Sequence, residues 1–182
     1  MHGPPPDGPG SEPPPGPRAF ATGYKVHSGD MMVYGGGAMT VVGVLASVVN
    51  GAPVFLLASV VGSLSALYFW PTIDPRRPQL GASVQGIYIA RVGIIPWANV
   101  GEMRVEHHAL RTMHLATLVV VPRVPLAEAV ARREVLPLAE RYAARNARVR
   151  ANVVRVSLHT LAMPIAEVEA RLVALRSAAG HG

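Results

Sequence analysis

The chain contains no cysteine. A disulfide framework, a thiolate nucleophile and a thiolate zinc site are therefore excluded. Charge is scarce as well. Asp, Glu, Lys and Arg make up 15% of the 182 residues, against roughly 25% in an average soluble chain. The deficit is local: between Asp30 and Asp74 none of the four occurs. A proton relay or ion path through that run would have no charged group to use. Lysine is nearly missing too, since 16 of the 17 basic residues are Arg. Codon usage of a GC-rich genome accounts for that as well as a binding role does. Catalytic spacings are also lacking. There is no HExxH and no GxSxG, and the glycine triplet Gly35–Gly37 lies inside the apolar run rather than between a strand and a helix. His107, His108 and His114 are close in sequence, but neighbours on a strand point to opposite faces, so His107 and His108 cannot share one metal. The expectation is a non-enzyme with no catalytic residue, no metal ligands and no cofactor.

What is present divides the chain into three. Residues 1–30 are expected to be a Pro/Gly-rich tail. Its first 18 residues hold eight Pro and four Gly, too little apolar surface to offset ordering entropy. PxxP spacings occur at Pro6–Pro9 and Pro14–Pro17, the form of a recognition peptide, although a plain solvated tail explains them equally simply.

Residues 31–73 are apolar and uncharged. Residues 31–49 and 53–71 form two runs, each about 28 Å long as a helix and so close to the roughly 30 Å hydrocarbon core of a bilayer. Between them lies Asn50-Gly51-Ala52-Pro53. Asn and Gly tolerate a left-handed helix end and Pro starts a helix well, so this is a tight turn between antiparallel transmembrane helices. A signal peptide would be shorter and nearer the terminus. A buried soluble pair would keep a polar stripe. Small residues recur at Gly36 and Gly43 on the first helix and at Ala58, Gly62 and Ala66 on the second, a face for close backbone approach. That face serves packing within the hairpin or association between chains. Tyr68, Phe69 and Trp70 end the second helix as an interfacial aromatic cluster. Lys25, Arg76 and Arg77 flank the helices on one side and the turn carries no Lys or Arg, so both termini are expected in the cytoplasm.

Residues 74–182 carry 15 Arg and 8 acidic residues and are long enough for one core. Short strands are expected at 83–90 with a bend at Gln85-Gly86, at 94–97, at Glu102–His108 and at Leu115–Val121. A helix over Leu126–Asn146, kinked at Pro137, comes next. A strand at Asn152–His159 and a helix at Pro164–Ala178 close the domain. The predicted class is α+β, a strongly bent antiparallel sheet closed by the C-terminal helix.

Two membrane helices, the linker Asp74-Pro75-Arg76-Arg77-Pro78, Gln85-Gly86-Ile87 and the run Gly93-Ile94-Ile95-Pro96-Trp97-Ala98-Asn99-Val100 together resemble small bacterial membrane proteins with a pleckstrin-homology-like cytoplasmic domain. The resemblance covers residues 31–178. In that family an acidic residue usually follows the Pro-Trp motif; Asn99 stands there in this chain. The resemblance implies a fold and an inner-membrane location. It implies no reaction, because the family is largely uncharacterised.

Within the domain the basic residues carry the most information. Arg132, Arg133, Arg141, Arg145, Arg148, Arg150 and Arg155 are accompanied by two Glu. Tethered beside an anionic leaflet, with Arg76 and Arg77, they would face lipid; the simpler reading is a solvated helix face. No zinc finger, RNA-binding aromatic pair or helix-turn-helix accompanies them, so nucleic acid is not expected. The functional expectation is a membrane-anchored interaction module that binds a protein partner or anionic lipid. The alternatives are an accessory subunit or homo-oligomer acting through the hairpin, and an uncharacterised membrane enzyme.

Overall fold

A computed structural model describes residues 18–110, 113–134 and 141–180; the side chains of Leu110, Met113 and His114 lie outside the description. Helix α1 (Asp30–Asn50) and helix α2 (Val54–Phe69) are antiparallel neighbours, and a 3-10 turn at Trp70–Thr72 prolongs α2. Gly51 ends α1 in the left-handed conformation with φ +63°, where a side chain would be strained. Pro53 caps α2 one residue outside it, rather than occupying its first position.

Close approach of the two backbones depends on missing side chains. A methyl group at Gly36 would lie 2.6 Å from the Gly62 carbonyl oxygen, and one at Gly62 would lie 2.5 Å from that of Gly36. Gly43 meets Ser59 and the Phe55 carbonyl in the same way. Polar groups fill the remaining space. The Thr40 hydroxyl lies 2.9 and 3.2 Å from the carbonyl oxygens of Gly36 and Ser59, and 3.1 Å from the Ser63 hydroxyl. The Ser59 hydroxyl donates to the Thr40 carbonyl at 2.9 Å. Ala66 lines this face, but Ala58, expected at its head, is only half-buried, and Ser59 takes the buried place. Among the described residues nothing covers the outer surface: Leu45, Val49, Leu57, Leu64 and Leu67 are all more than half exposed. Both helices are long and apolar enough to cross a membrane. Only 17% and 11% of their apolar windows are buried within the chain.

The rest of the chain is α+β. Strands β1 (Phe20–Thr22), β2 (Leu80–Ser83), β3 (Gly86–Ile89) and β4 (Gly93–Pro96) form one antiparallel sheet in the order β1-β2-β3-β4. Strands β5 (Val100–Leu110), β6 (Met113–Pro122), β7 (Ala147–Arg150) and β8 (Val153–Ser157) form a second, in the order β5-β6-β8-β7. Helix α3 is Leu126–Ala129 and helix α4 is Ile165–Ala179. Alternating residues of both sheets point inward. Leu80, Ile87 and Ile95 meet Leu118, Val154 and Val156, and α4 adds Val168, Leu172 and Leu175 to the same core. The single bent sheet expected from the sequence is therefore two sheets. They divide at Pro96-Trp97: Pro96 is the last ladder residue, opposite Gly86, and a 3-10 turn at Trp97–Asn99 redirects the chain into β5. Trp97 packs against the core and its indole N–H donates to the Ser83 carbonyl at 2.7 Å. The side chain of Asn99 donates to the Ala129 carbonyl at 3.1 Å.

Two further expectations are corrected. The first concerns the tail. Phe20–Thr22 is an edge strand on β2, with Phe20 opposite Ala82, and Tyr24 bridges to Leu161. Phe20 and Thr22 are buried on either side of exposed Ala21, a strand period that the preceding Pro-rich run obscures, and Tyr24 is buried beyond them. Residues 1–17 lie outside the described residues. The second concerns the helix over Leu126–Asn146. Helix α3 stops at Ala129, and Val130 is extended. Ile94 N–H donates to the Arg132 carbonyl and Ala131 N–H donates to that of Ile94, at 3.2 and 2.9 Å. The open edge of β4 thus takes backbone groups that a helix would have paired internally. Residues 135–140, with the expected kink at Pro137, lie outside the described residues, and Ala147–Arg150 is strand β7.

Candidate functional site

The hairpin enters and leaves the domain at one point. Gly29, just before α1, backs onto Thr72, just after α2; a methyl group at Gly29 would collide with the Thr72 hydroxyl. A third segment joins them. Ala144 N–H donates to the Tyr68 carbonyl at 2.7 Å, where the carbonyls of α2 are running out of internal donors. That segment is held from the other side by Arg91. Its guanidinium donates to the carbonyl oxygens of Ala143 and Ala144 at 3.2 and 3.0 Å. Arg91 is itself fixed: its φ is +69°, and its backbone N–H donates to Glu134 Oε2 at 2.6 Å. The Tyr88 hydroxyl donates to the same oxygen at 3.3 Å. The end of α2 is thereby connected through Ala144 and Arg91 to sheet residues of the domain.

Electrostatics follow from this geometry. Burial pushes the Tyr24 phenol up, and the nearby Arg91 charge partly opposes it. The Tyr88 phenol is pushed up from 10.0 to about 12, first by burial and then by the Glu134 carboxylate it faces. A phenol with a raised folded pKa stabilises the fold fully below the unfolded value and loses that contribution as pH rises through the folded value. Stability should therefore decline between pH 10 and about 12. Absorbance titration at 295 nm should show late ionisation from Tyr24 and Tyr88; the Tyr88 step should be absent in Tyr88→Phe and shifted to lower pH in Glu134→Gln. An unshifted step in Glu134→Gln would remove the carboxylate from this account.

Three aromatic side chains surround the junction with open faces: Tyr68, Trp70 and Tyr142 are 47%, 66% and 78% exposed. Arg141 and Arg145 flank the fastened Ala143-Ala144 pair and are both exposed. Arg148 is at most about 14 Å along the chain from Ala144. It stands on β7 directly opposite Arg155 of β8, a like-charge cross-strand pair. Among the described residues no carboxylate lies within ion-pair distance of Arg148, Arg150 or Arg155; the ion pairs present are elsewhere, as in Arg104 with Glu102 and Glu106.

The other expected arginines are dispersed. Arg132 is exposed on the segment bridged to β4, and Arg133 donates to the Ala127 carbonyl at 3.2 Å. Arg76 is exposed in the linker, where its backbone N–H donates to Asp74 Oδ1, and Arg77 pairs with the same carboxylate at 3.5 Å. No one helix face carries all of these: the chain is helical at Leu126–Ala129 and again at Arg141-Tyr142, extended at Val130, and a strand at Ala147–Arg150. Gly36, Gly43 and Gly62 lie inside the hairpin, and Pro96 and Trp97 lie at the junction of the sheets. His107 and His108 approach different carboxylates, Glu169 and Glu106, and among the described residues no three potential metal ligands converge. Arg91 and Tyr142 escaped sequence reasoning. Tyr142 had one signal, a lone aromatic in an Ala/Arg-rich stretch; Arg91 had none, since its partners are backbone carbonyls more than fifty residues away. Compared with known protein families, curated proteins and solved structures, the chain matches none.

Proposed function

We propose that this protein is a membrane-anchored, non-catalytic interaction module. In this reading the α1–α2 hairpin spans the bacterial inner membrane, and a pleckstrin-homology-like domain is held at the cytoplasmic face. The arginines of residues 141–155 engage anionic lipid headgroups. The observation that carries the proposal is the fastening of Ala143-Ala144 to the end of α2. It holds Arg141 and Arg145 beside the aromatic end of the hairpin, and chain reach keeps Arg148 near. Each arginine close to an anionic surface contributes about 1 kcal/mol, decaying over a Debye length of about 8–10 Å. A tethered domain needs no further affinity to stay there. The uncovered apolar surface of the hairpin supports its place in lipid, and Lys25, Arg76 and Arg77 at one end support cytoplasmic termini.

A lipid surface is favoured over association through the hairpin. The small residues that would serve another helix are already used between α1 and α2. Non-catalytic action agrees with the state of Glu134, the carboxylate in a hollow of about 250 Å³ beside Arg133 and Val130. It is already committed to Tyr88 and to the Arg91 backbone.

The absence of native cysteine makes a clean test available. Val149, exposed between Arg148 and Arg150, can be replaced by Cys and labelled with an environment-sensitive dye in the full chain. Reconstituted into vesicles containing phosphatidylglycerol, the dye should shift to the blue relative to pure phosphatidylcholine, and about 1 M salt should reverse it, because the screening length falls to about 3 Å. Identical spectra in both vesicles would refute the lipid reading.

A further inference from the structure

Beyond a diffuse attraction between arginines and headgroups, the structure points to a discrete lipid position. A groove of about 690 Å³ runs along the outer side of α2 and ends under the segment fastened to it. Its wall is Val61, Leu64 and Tyr68 on one stripe of the helix, and its end is closed by Trp70 and Tyr142. The stripe from Val61 to Tyr68 extends about 10 Å along the helix axis. The lining is almost wholly apolar. Such a groove on the side of a span is not filled by water, which could make no hydrogen bonds there.

Charge decides the occupant. Arg141 and Arg145 flank the closing residues Tyr142 and Ala143-Ala144, and both are exposed. The apolar groove therefore ends against a segment that carries two exposed arginines, at the level where α2 ends in aromatic residues. Aromatic side chains with an apolar body and a polar tip suit that boundary. We propose that the groove holds one acyl chain of an anionic phospholipid, with its phosphate at the Arg141/Arg145 rim and Trp70 and Tyr142 against the glycerol region. A transmembrane helix of another protein would match the apolar wall but would leave the two guanidinium groups unanswered. This inference rests on the membrane reading above and sharpens it from a surface to a site.

Trp70 lines the groove and the only other tryptophan, Trp97, lies in the domain, so Trp70 can report occupancy. Full-length protein would be reconstituted into phosphatidylcholine vesicles doped with brominated phosphatidylglycerol or, at equal mole fraction, brominated phosphatidylcholine. The quenching of wild type minus that of Trp70→Phe isolates Trp70. Half-maximal quenching should need roughly thirtyfold less of the anionic lipid, the scale expected of two arginines near the surface. The pair Arg141→Gln and Arg145→Gln, at exposed positions, should erase the preference without unfolding the chain. Equal quenching by both lipids would overturn the site, and so would quenching by neither. If the dye at position 149 still distinguished the two lipids, only the discrete site would fall. If neither probe distinguished them, the headgroup reading would fall with it.

Discussion

Alanine at Gly36 should destabilise the helical hairpin, whereas alanine at either neighbour, Gly35 or Gly37, should stabilise it. The three glycines are consecutive, so composition cannot separate them. Contact can. A methyl group at Gly36 would meet the Gly62 carbonyl at 2.6 Å and the Ala66 backbone nitrogen at 3.0 Å, while at Gly35 and Gly37 nothing lies within 4 Å. Backbone atoms cannot move aside as a flexible side chain would, so the helices must separate. Overpacking of this kind costs roughly 1–3 kcal/mol. Separation would also lengthen the contacts of Thr40 with Ser59 and Ser63, which are worth about 0.6 kcal/mol each in known membrane proteins. At the flanking positions the change only replaces a permissive residue by a helix former, a gain of roughly 0.5–1 kcal/mol. Unfolding of the reconstituted protein in graded SDS, followed by helical circular dichroism, would read all three. Equal behaviour at 35, 36 and 37 would show that the hairpin does not pack through this face.

A domain cut to begin at Asp74 should fail to fold, although the linker there looks like a boundary. It would lose β1, which covers the β2 edge through Phe20 opposite Ala82 and Thr22 opposite Leu80. It would also lose Tyr24, whose neighbour Lys25 donates its N–H to the Thr160 carbonyl at 3.0 Å. Removing a buried Phe alone costs about 3–5 kcal/mol, a large part of the 5–15 kcal/mol that stabilises a typical domain. The corrective design keeps residues 18–29 and replaces the hairpin by a short linker to Ile73. The ends are close enough, because Gly29 already touches Thr72. That chain should show a cooperative thermal transition and the fragment from Asp74 should not. Matching melts for the two would mean that β1 contributes nothing to the fold.

The two experiments separate what could be read locally from what could not. The hairpin was legible because its evidence is continuous in the sequence: an uncharged run of bilayer length, interrupted once by Asn50-Gly51-Ala52-Pro53. A helix satisfies its backbone within itself, so periodicity and breakers are enough to locate it. The strands at β3, β5, β6 and β8 and the last helix were legible for the same reason, since their alternation or 3.6-residue stripe lies within a few neighbours. What failed were segments whose backbone partners are distant. Residues 130–132 carry helix-forming composition, but the free edge of β4 takes their hydrogen bonds, and no local pattern announces an edge nearly forty residues away. Phe20–Thr22 alternates, yet its three residues are too few to outweigh a Pro-rich neighbourhood until β2 is there to receive them.

The candidate site divides in the same way. The arginines were visible as composition, but Arg148, Arg150 and Arg155 stand on strands rather than on one helix. Arg148 faces Arg155 only because β7 and β8 pair in that register. Arg91 reaches Ala143 and Ala144 only because the two sheets close on one core. Sequence alone determined that this chain carries an apolar helical hairpin and a basic α+β domain, since both follow from local composition and period. Tertiary structure alone decided which arginine fastens the segment at the base of the hairpin and which glycines touch. Those facts depend on hydrogen bonds and contacts between residues that are neighbours only after folding.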